Sequence, residues 1–536
     1  NSKSNGYIDN IYLNKDDTNN LDETIAKAKF TKSMDNTELV LNIFYADIDN
    51  GYDAFSLDNT RETYSDEPGY DRQKTSASSF KLEKRLQNNN RIELLMSYAN
   101  SDLEYAYDED WSNTGICNNT SCDSSIYGFD WWYSSFDSFE RDNKNHSIDI
   151  RYISDSEIFP WVIGVYNRDQ DVNLIRQYTY LENNFKSSFD TKNSAIYGQI
   201  DANINQKVKV TTGLRFEKRK ADYVDNNGPA PEGFFCIAIY PRPESCLFNN
   251  RYSNSENFWG GKIAIQNQIN KKTMIYALLS RGYKPGGVNI GGKVNQENLN
   301  YDSETMWNYE AGVKTSIMDN TLFIQASVFY QDRDDVQTKQ SLIASIKSGI
   351  EGGECPCSFT DYIGNAASGS NQGLELEILW LITDRLEISS SLGILETEFK
   401  NFQSYSHIEA DPSNGLAFDL SGRDQSHAPN YQFNFFLNYK INENIFINFN
   451  VESKDKFYFS DRHSAQSDSY TLLNFLIGYK LDSWEINVFG KNLTDEDYAT
   501  RGFGSFGNDP RKFFVTEPYD QYASPRVIGV SGKKSF

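Results

Sequence analysis

The sequence predicts an all-β protein whose strands form a transmembrane antiparallel β-barrel, and three observations predict it. Long segments alternate apolar with polar residues, as in 429–441, where Tyr431 and Phe433 alternate with Gln432 and Asn434, and a period of two belongs to strands with two different faces. Short polar turns alternate with long loops along the chain. Aromatic residues make up 14% of the chain although its mean hydropathy is only −0.64, a composition typical of sheets with one apolar and one polar face.

The length and charge of the chain narrow the possible architectures and functions. Its 536 residues contain no linker-like segment and no shift in composition, which indicates one large architecture. No run approaches the ~18 to 20 apolar residues of a membrane helix, so a membrane crossing would have to use strands. The net charge of −23 argues against a nucleic-acid partner, because phosphates require a basic surface.

The polar turns and the loops alternate regularly. The tight turns are Asp35-Asn36, Asn88-Asn89-Asn90, Asn205-Gln206-Lys207, Asn270-Lys271-Lys272, Asp319-Asn320, Thr383-Asp384-Arg385, Asn442-Glu443-Asn444 and Asp482-Ser483. The long loops are roughly 51–72, 105–136, 224–253, 286–302, 335–370, 401–427 and 493–521. Short turns at one end and long loops at the other are typical of an outer-membrane barrel, with periplasmic turns and extracellular loops. A soluble propeller or stack of sandwiches is the alternative, but its strands would be only ~5 to 6 residues long.

The turns and loops divide the chain into about nineteen strands, and the first clear one is near Glu23–Met34. Outer-membrane transporters with a plugged lumen have ~22 strands, so we expect a complete protein of about 22 strands, of which about three are missing here. On this interpretation residues 1–20 are a residual extracellular loop left after the missing strands, and residues 21–536 are the barrel domain.

The chain ends on a strand that suits the closure of a barrel. From Arg526 to Phe536 no residue breaks an extended conformation, and Ile528 and Val530 share one face. A final strand pairs with the first strand and so removes both edges of the sheet. Because the first strands are expected to lie outside this sequence, we expect the final strand to keep an unpaired edge, with Ile528, Val530 and Phe536 in its lipid-facing row.

The six cysteines form three close pairs, each in a polar segment. The pairs are Cys117 with Cys122, Cys236 with Cys246, and Cys355 with Cys357. Local loop disulfides in an oxidising compartment fit this spacing better than a metal site, because no nearby histidine or second cysteine pair completes a tetrahedral set. The four histidines, His146, His407, His427 and His463, are scattered singly, so we predict neither a metal site nor a cofactor.

Five sequence motifs resemble those of the barrel domain of TonB-dependent outer-membrane receptors, in particular the iron-siderophore branch. They are Ser280–Asn289, Glu304–Lys314, Asn371–Glu377, Phe489–Asp495 and Pro525–Ser531. Their order and spacing match that domain, and the resemblance covers essentially the whole chain. Two features depart from the family pattern. The N-terminal plug, with the box that engages the energy-transducing partner, has no counterpart here, and Lys534 stands where the closing strand usually carries an apolar or aromatic residue.

The resemblance implies a transport receptor and no enzyme. Such a receptor lies in the outer membrane of a Gram-negative bacterium and imports a scarce, bulky nutrient, most often a ferric–siderophore complex. Its implied partners are a TonB-type energy-transducing complex, reached through the missing plug, the barrel-assembly machinery, and outer-membrane lipid with lipopolysaccharide. A passive porin-like channel, or a receptor of the same class for a vitamin or an oligosaccharide, remains open as an alternative.

The predicted ligand-binding residues are aromatic and cationic side chains in or beside the long loops. They are Trp131, Trp132, Tyr133, Phe234, Phe235, Tyr240, Arg242, Arg281, Tyr283 and Lys284. Large ligands above a lumen are held by aromatic faces, with a few cations for anionic oxygens. Tyr283 suits an interface girdle equally well, and Arg281 and Lys284 suit membrane anchors whose charged ends reach water. No carboxylate pair stands out for acid–base catalysis.

Overall fold

The computed structural model describes residues 1–87, 90–128, 130–180, 183–228, 248–289, 298–348, 354–404, 418–461 and 463–535. In chain order its strands are β1 (Ser2–Ser4), β2 (Asp9–Asn10), β3 (Leu21–Met34), β4 (Thr37–Tyr52), β5 (Glu62–Thr63), β6 (Gly69–Arg85), β7 (Asn90–Asp108), β8 (Phe136–Ser154), β9 (Trp161–Tyr178), β10 (Phe185–Asn203), β11 (Val208–Gly228), β12 (Phe248–Asn270), β13 (Thr273–Lys284), β14 (Gly287–Val288), β15 (Asn300–Tyr301), β16 (Glu304–Ile317), β17 (Leu322–Ser348), β18 (Glu354–Thr383), β19 (Leu386–Asn401), β20 (Gln403–Ser404), β21 (Phe418–Asp419), β22 (Tyr431–Lys440), β23 (Ile445–Lys454), β24 (Tyr470–Leu481), β25 (Trp484–Lys491), β26 (Ala499–Phe506), β27 (Glu517–Tyr522) and β28 (Val527–Lys534). One short helix, α1, covers Ser124–Tyr127. Among the described residues, no helix has the length and apolar character to cross a membrane.

Twenty of these strands form one large sheet, in which neighbours along the chain pair antiparallel. The ladder between β9 and β10, for example, runs without a break from Arg176 opposite Phe185 to Trp161 opposite Ile200. The other eight strands, β2, β5, β14, β15, β20, β21, β26 and β27, pair two by two outside it. An all-β architecture with one large antiparallel sheet is therefore confirmed.

The tight turns of the sequence analysis that fall on described residues are confirmed, because each lies between two paired strands. Asn88 and Asn89 of the turn Asn88-Asn89-Asn90 lie outside the described residues. Asp35-Asn36 joins β3 to β4, and Asp482-Ser483 joins β24 to β25. The backbone of Asp35 and Asp482 has a φ of 38° and 51°, in the left-handed region that short polar residues tolerate in turns. We call this end of the barrel the tight-turn end and the opposite end the long-loop end.

The prediction of a long loop at 335–370 is wrong, because this segment consists almost entirely of strand. β17 continues to Ser348 and β18 begins at Glu354, and their ladder runs from Val336 opposite Ala366 to Ser348 opposite Glu354. Over this segment β17 and β18 show little alternation of apolar with polar residues. Their backbone groups still pair, since pairing depends on the partner strand and not on the side chains. A further long connection, 455–469 between β23 and β24, was not predicted.

The apolar face of each strand points outward. Ile163 and Val165 of β9, which alternate with inward residues, are about half exposed, as are Ile150 of β8 and Ile196 of β10 beside them. The inner face is polar; for example, Asn474 donates to Asn450 across β24 and β23 at 2.8 Å. This arrangement of apolar and polar faces is what a barrel in lipid requires.

The closing strand β28 pairs with β25, from Val527 opposite Lys491 to Lys534 opposite Trp484. Ile528 and Val530 are each 71% exposed, and they lie on the outer face as predicted; Phe536 lies outside the described residues. Among the described residue pairs, none joins β28 to β3, whose partners are β4 and β1. The expected unpaired edge is therefore present, while the total of 22 strands stays a prediction. The ammonium of Lys534 lies 5.0 Å from the centre of the Trp484 ring.

Residues 1–20, predicted as a loop, contribute a short piece of sheet. Ser2–Ser4 forms β1, which pairs with Leu21–Glu23 of β3, and Asp9–Asn10 pairs in parallel with Glu62–Thr63. The N-terminal segment is thus attached both to the edge of the main sheet and to the first long loop.

Candidate functional site

Three loops at the long-loop end share one buried core, which we call the loop core. The loops are 53–68, 109–135 and 492–526, and the core consists of Ala54, Phe55, Leu57, Trp111, Ile116, Cys117, Cys122 and Tyr519. The Trp111 ring stacks on Phe55 at 5.0 Å and meets Tyr519 edge-on at 5.1 Å. Because apolar side chains from all three loops fill this core, the loops support one another above the barrel.

Two arginines fix the first of these loops to the last. Arg511 forms ion pairs with Asp58 at 2.7 Å and with the buried Asp509 at 2.8 Å, and these bonds raise the pKa of its guanidinium. Arg61 forms an ion pair with Asp497 at 2.7 Å and donates to the Ala523 carbonyl at 2.9 Å. The loops of β4 and β25, from the two ends of the sheet, are therefore held together by charge as well as by apolar packing.

An aromatic surface lines the inner wall where four strands reach the long-loop end. This surface, the aromatic rim, consists of Tyr52, Tyr105, Tyr107, Phe139 and Tyr178, from the ends of β4, β7, β8 and β9. The Tyr105 ring lies 5.1 Å from Tyr52, 5.6 Å from Tyr107 and 6.3 Å from Phe139. The rim offers flat apolar faces with hydroxyl groups at their edges.

Arg176, which lies beside the aromatic rim, already has an acidic partner. Arg176 makes a bidentate pair with the fully buried Asp137, at 2.9 and 2.6 Å, and its guanidinium lies 5.2 Å from Phe139. A bidentate pair of this kind fixes both side chains. Arg176 therefore holds the rim in shape and has little charge left for a ligand.

Three other cations at this end have no acidic partner. We call Arg423, Lys454 and Arg501 the cation cluster. Each lies over an aromatic ring: Arg423 is 4.1 Å from Tyr458, Lys454 is 4.6 Å from Phe457 and Arg501 is 5.9 Å from Phe55. Within the described part of the chain none of the three has a carboxylate oxygen within 4.0 Å. None of the three forms an ion pair with a described carboxylate, although the charges of Asp461 and Asp424 act on Arg423 from a longer distance.

Arg501 connects the cation cluster to the aromatic rim. Its Nη1 donates to the Tyr52 hydroxyl at 3.3 Å, and Tyr52 packs against Tyr105. The side chain of Arg501 itself is exposed. It therefore stands between the two surfaces and is open to a molecule in the mouth of the barrel.

Arg423 has an unused hydrogen-bond donor. One of its terminal nitrogens donates to the carbonyls of Ser460 and His463, while its buried Nε has no partner among the described residues. Burial lowers the pKa of this guanidinium, but an arginine stays charged at neutral pH. A buried, charged donor without a partner costs free energy, which a ligand oxygen would recover.

His427 lies beside Phe457 and close to Lys454, and it is uncharged at neutral pH. Its ring is 5.3 Å from Phe457, and burial and then the nearby Lys454 charge lower its pKa. The cluster therefore gains no fourth positive charge from this histidine at neutral pH.

The loop residues Trp131, Trp132 and Tyr133 lie next to the rim. Trp131 packs against the loop core and lies 5.8 Å from Phe514, whereas Trp132 is 66% exposed. Tyr133 stacks on Tyr180 at 5.6 Å, and burial raises its pKa to about 12. Of the three, Trp132 is the most available to a ligand.

The predicted ligand-binding residues within the motif Ser280–Asn289 do not lie together in the structure. The Tyr283 hydroxyl donates to Glu217 on the inner wall at 3.0 Å, and its ring stacks on Phe258 at 4.8 Å. Arg281 lies on the outer face, 4.4 Å from the Trp259 ring, which is the position of a membrane anchor. Lys284 is exposed at the end of β13. The structure therefore does not bring Arg281 and Tyr283 together.

The remaining predicted residues belong to two groups. Phe234, Phe235, Tyr240, Arg242, Cys236 and Cys246 lie outside the described residues, as do the side chains of Cys355 and Cys357. Cys117 and Cys122 form a disulfide within the loop core. The other two cysteine pairs stay predictions.

Neither the aromatic rim nor the cation cluster was predicted from the sequence. Tyr105 and Tyr107 alternate with Glu104 and Ala106 at the end of β7, but this stretch was assigned to a loop. The alternation was the signal that could have revealed an inward aromatic face. Arg501 had no such signal, because its partner Tyr52 is 449 residues away.

Comparison with known proteins gives a family match over most of the chain. The family model "TonB dependent receptor-like, beta-barrel" matches residues 7–493. Among curated proteins, the pesticin receptor of Yersinia enterocolitica is 21% identical over 360 residues, which are 66% of this chain and 46% of the receptor. The chain thus spans about half the length of the curated relatives it matches.

Two solved structures have the same fold. The ferric yersiniabactin uptake receptor FyuA of Yersinia pestis superposes with a TM-score of 0.77 at 16% identity, over 100% of this chain and 74% of that one. The ferric-catecholate import receptor Fiu of E. coli K12 superposes with a TM-score of 0.70 at 14% identity, over 100% and 76%. At these identities the likeness establishes the fold.

Proposed function

The chain belongs to the TonB-dependent receptor-like β-barrel family, and from that premise we propose that its mouth binds an anionic ferric–siderophore complex for import. Members of this family are transport receptors of the outer membrane, so the long-loop end faces outward. The proposal extends to the whole protein, in which a TonB-type complex supplies the energy for passage. It includes no catalytic step, and the bound chelate should leave unchanged.

The observation that carries the proposal is the cation cluster. Acidic residues outnumber basic ones by 75 to 52, yet Arg423, Lys454 and Arg501 form no ion pair with a described carboxylate. Cations without an ion-pair partner at the mouth of an acidic barrel suit a ligand that brings its own negative charge. A ferric chelate with anionic oxygens and flat organic groups matches both the cations and the aromatic rim.

The relatives support an iron chelate as the transported ligand. FyuA and Fiu are described as receptors for ferric yersiniabactin and for ferric catecholates. A further curated relative, 22% identical over 264 residues, is described as a probable TonB-dependent siderophore receptor of Acinetobacter baumannii. We carry their class of cargo, an iron chelate, to this chain as part of the proposal. The barrel-assembly machinery and outer-membrane lipid with lipopolysaccharide are proposed partners in the same sense.

The experiment measures binding of ferric chelates to the full-length receptor. Ferric catecholate, ferric hydroxamate and ferric citrate complexes are the probes, and the variants are Arg423→Gln, Lys454→Gln and Arg501→Gln. Each lost charge-assisted contact should cost about 1.5 to 3 kcal/mol, so each variant should lower the affinity for the preferred chelate by about tenfold or more. Rising salt should weaken binding of the wild type and affect the triple variant less.

Arg281→Gln is the matched control, because Arg281 also lies over an aromatic ring but on the outer face. It should bind the chelate as the wild type does. If Arg281→Gln weakens binding while the three cluster variants do not, the cation cluster is the wrong site. If no ferric chelate binds and the protein conducts small ions freely across a planar bilayer, it is a passive channel and the receptor proposal fails.

A further inference from the structure

Two buried carboxylates at the long-loop end have no basic partner. They belong to Asp108 and Asp110, which are 5% and 3% exposed and stand where β7 leads into the loop 109–135. No lysine, arginine or histidine of the described chain forms an ion pair with either carboxylate. The buried Asp137 at the same end, by contrast, pairs with Arg176 at 2.6 Å. Two adjacent buried acids without a cation are costly, because the interior strengthens their repulsion.

One oxygen of Asp108 has no hydrogen-bond partner among the described residues. Its Oδ1 accepts from the backbone amides of Asp110 and Trp111, both at 3.0 Å, whereas its buried Oδ2 accepts from no donor. No other acidic residue of the described chain that is buried as deeply keeps a buried oxygen without a partner. A buried anionic oxygen is seldom left without a partner in a folded protein, so this one marks a position for a ligand.

A hydroxyl group beside this oxygen is also without a partner. Ser65 is 0% exposed, and its Oγ makes no hydrogen bond to any described residue. The neighbouring Asp66 amide donates to the Ser112 carbonyl at 2.9 Å, which holds this segment against the turn that carries the two acids. The Ser65 hydroxyl lies close enough to the Asp108 carboxylate to lower its pKa. Two oxygens without partners therefore lie close together, and neither bonds to the other.

The charges around these oxygens are negative. Burial and then the charge of Asp110 raise the pKa of Asp108, and Asp66 acts in the same direction. The pKa of the partly buried Asp66 is likewise raised by burial and then by Asp110. Among the described residues, Asp110 accepts hydrogen bonds from neutral groups, the Ser112 hydroxyl at 2.7 Å and the Ser135 amide at 2.8 Å. A cation is the ligand that compensates this charge and bonds to both free oxygens.

We propose that Asp108, Asp110 and the Ser65 hydroxyl bind a calcium ion, with water completing its coordination and Asp66 adding negative charge nearby. Ca²⁺ takes about six to eight oxygen ligands in a flexible geometry. No three acidic, histidine or cysteine side chains of the described chain meet as a metal-binding set, so the ion uses two carboxylates together with hydroxyl and water oxygens. The prediction of no metal site rested on histidines and cysteines, which are not calcium ligands.

A calcium ion at this position connects two loops of the mouth. Ser65 lies in the loop 53–68, and Asp110 lies in the loop 109–135. Trp111, whose amide donates to Asp108, belongs to the loop core. Calcium should therefore raise the local stability of both loops. The site is separate from the cation cluster and does not depend on the iron cargo.

The test measures calcium binding to the full-length protein by isothermal titration calorimetry, after treatment with a chelator and dialysis. Extracellular calcium modules have dissociation constants of about 10⁻⁴ to 10⁻³ M, and we expect a value in that range. The variant Asp108→Asn/Asp110→Asn should bind calcium at least about tenfold more weakly. With calcium at about ten times its dissociation constant, hydrogen exchange in 53–68 and 109–135 should slow about tenfold in the wild type and stay unchanged in the variant.

The same variant without calcium should exchange more slowly in these loops than the calcium-free wild type, because the repulsion between the two acids is removed. This result distinguishes a cation site from a variant that merely fails to fold. Faster exchange in the calcium-free variant would overturn the proposal.

The control variant Asp16→Asn/Asp17→Asn removes two exposed carboxylates of the N-terminal segment and should bind calcium as the wild type does. Magnesium chloride at the same concentration should leave hydrogen exchange in the two loops unchanged, because Mg²⁺ demands a stricter octahedral geometry. An absence of binding at about 10 mM calcium, or equal calcium affinity of the wild type and the Asp108→Asn/Asp110→Asn variant, would overturn the proposal. Equal slowing of exchange by magnesium would do so as well.

Discussion

Replacing Leu57 by alanine tests whether the three loops of the mouth form one cooperative unit. Leu57 is 0% exposed in the loop core, and it has no polar group and no unusual backbone conformation. Truncating a fully buried leucine costs about 2 to 5 kcal/mol, because transfer free energy is lost and a cavity remains. Tyr52 at the end of β4 is the one main-sheet residue described as packing against this core, so the cost should fall mainly on the loops.

Hydrogen exchange measured by mass spectrometry reports this local stability segment by segment. A loss of about 3 kcal/mol corresponds to exchange that is about a hundredfold faster. Amides of 53–68, 109–135 and 492–526 should all accelerate together, while those of the membrane strands should not change. Val515→Ala, an exposed position in the last loop, is the control and should change little. Acceleration confined to 53–68 would refute the idea of a shared core.

Three further predictions concern the same end of the barrel. Tyr519→Phe removes a hydroxyl that accepts from the backbone of Asn508 and Asp509, and should cost the last loop about 1 to 3 kcal/mol of local stability in hydrogen exchange. The pKa of His427 is lowered, so its contribution to the stability of the folded loop is complete above about pH 6.5. That stability is lost as the pH falls below this value. Hydrogen exchange in 418–430 should therefore accelerate between about pH 6.5 and 5, but not in His427→Gln. An impermeant thiol reagent applied to intact cells after mild reduction should label Cys117 and Cys122; labelling only from the periplasmic side would show that the topology is inverted.

The local features of the fold were predictable from the sequence, because they repeat within a few residues. The alternation in β22 and the polar turn at Asp35-Asn36 each identify a strand or a turn without reference to any distant residue. The ladder between β17 and β18 was not predictable in the same way. Val336 pairs with Ala366 in a segment with little period-two alternation, and Val336 packs against Phe399, which is distant in sequence.

The candidate site was predictable in kind but mostly not in its residues. Aromatic and cationic side chains near the loops were expected, and Trp132 and Tyr133 do lie beside the rim. The partners of Arg501 are Tyr52 and Phe55, which come from the opposite end of the chain. Their meeting depends on the curvature of the whole sheet, which no local pattern records.

The position of bound iron tests the central claim most directly. The full-length receptor should be crystallised with its preferred ferric chelate, and the iron located by its anomalous scattering. We expect a single iron site in the mouth, with chelate oxygens bonded to Arg501 and to Arg423 or Lys454 and with the organic groups of the chelate on Tyr105. An iron site on the outer surface, at the tight-turn end, or bonded to none of these three cations would contradict it.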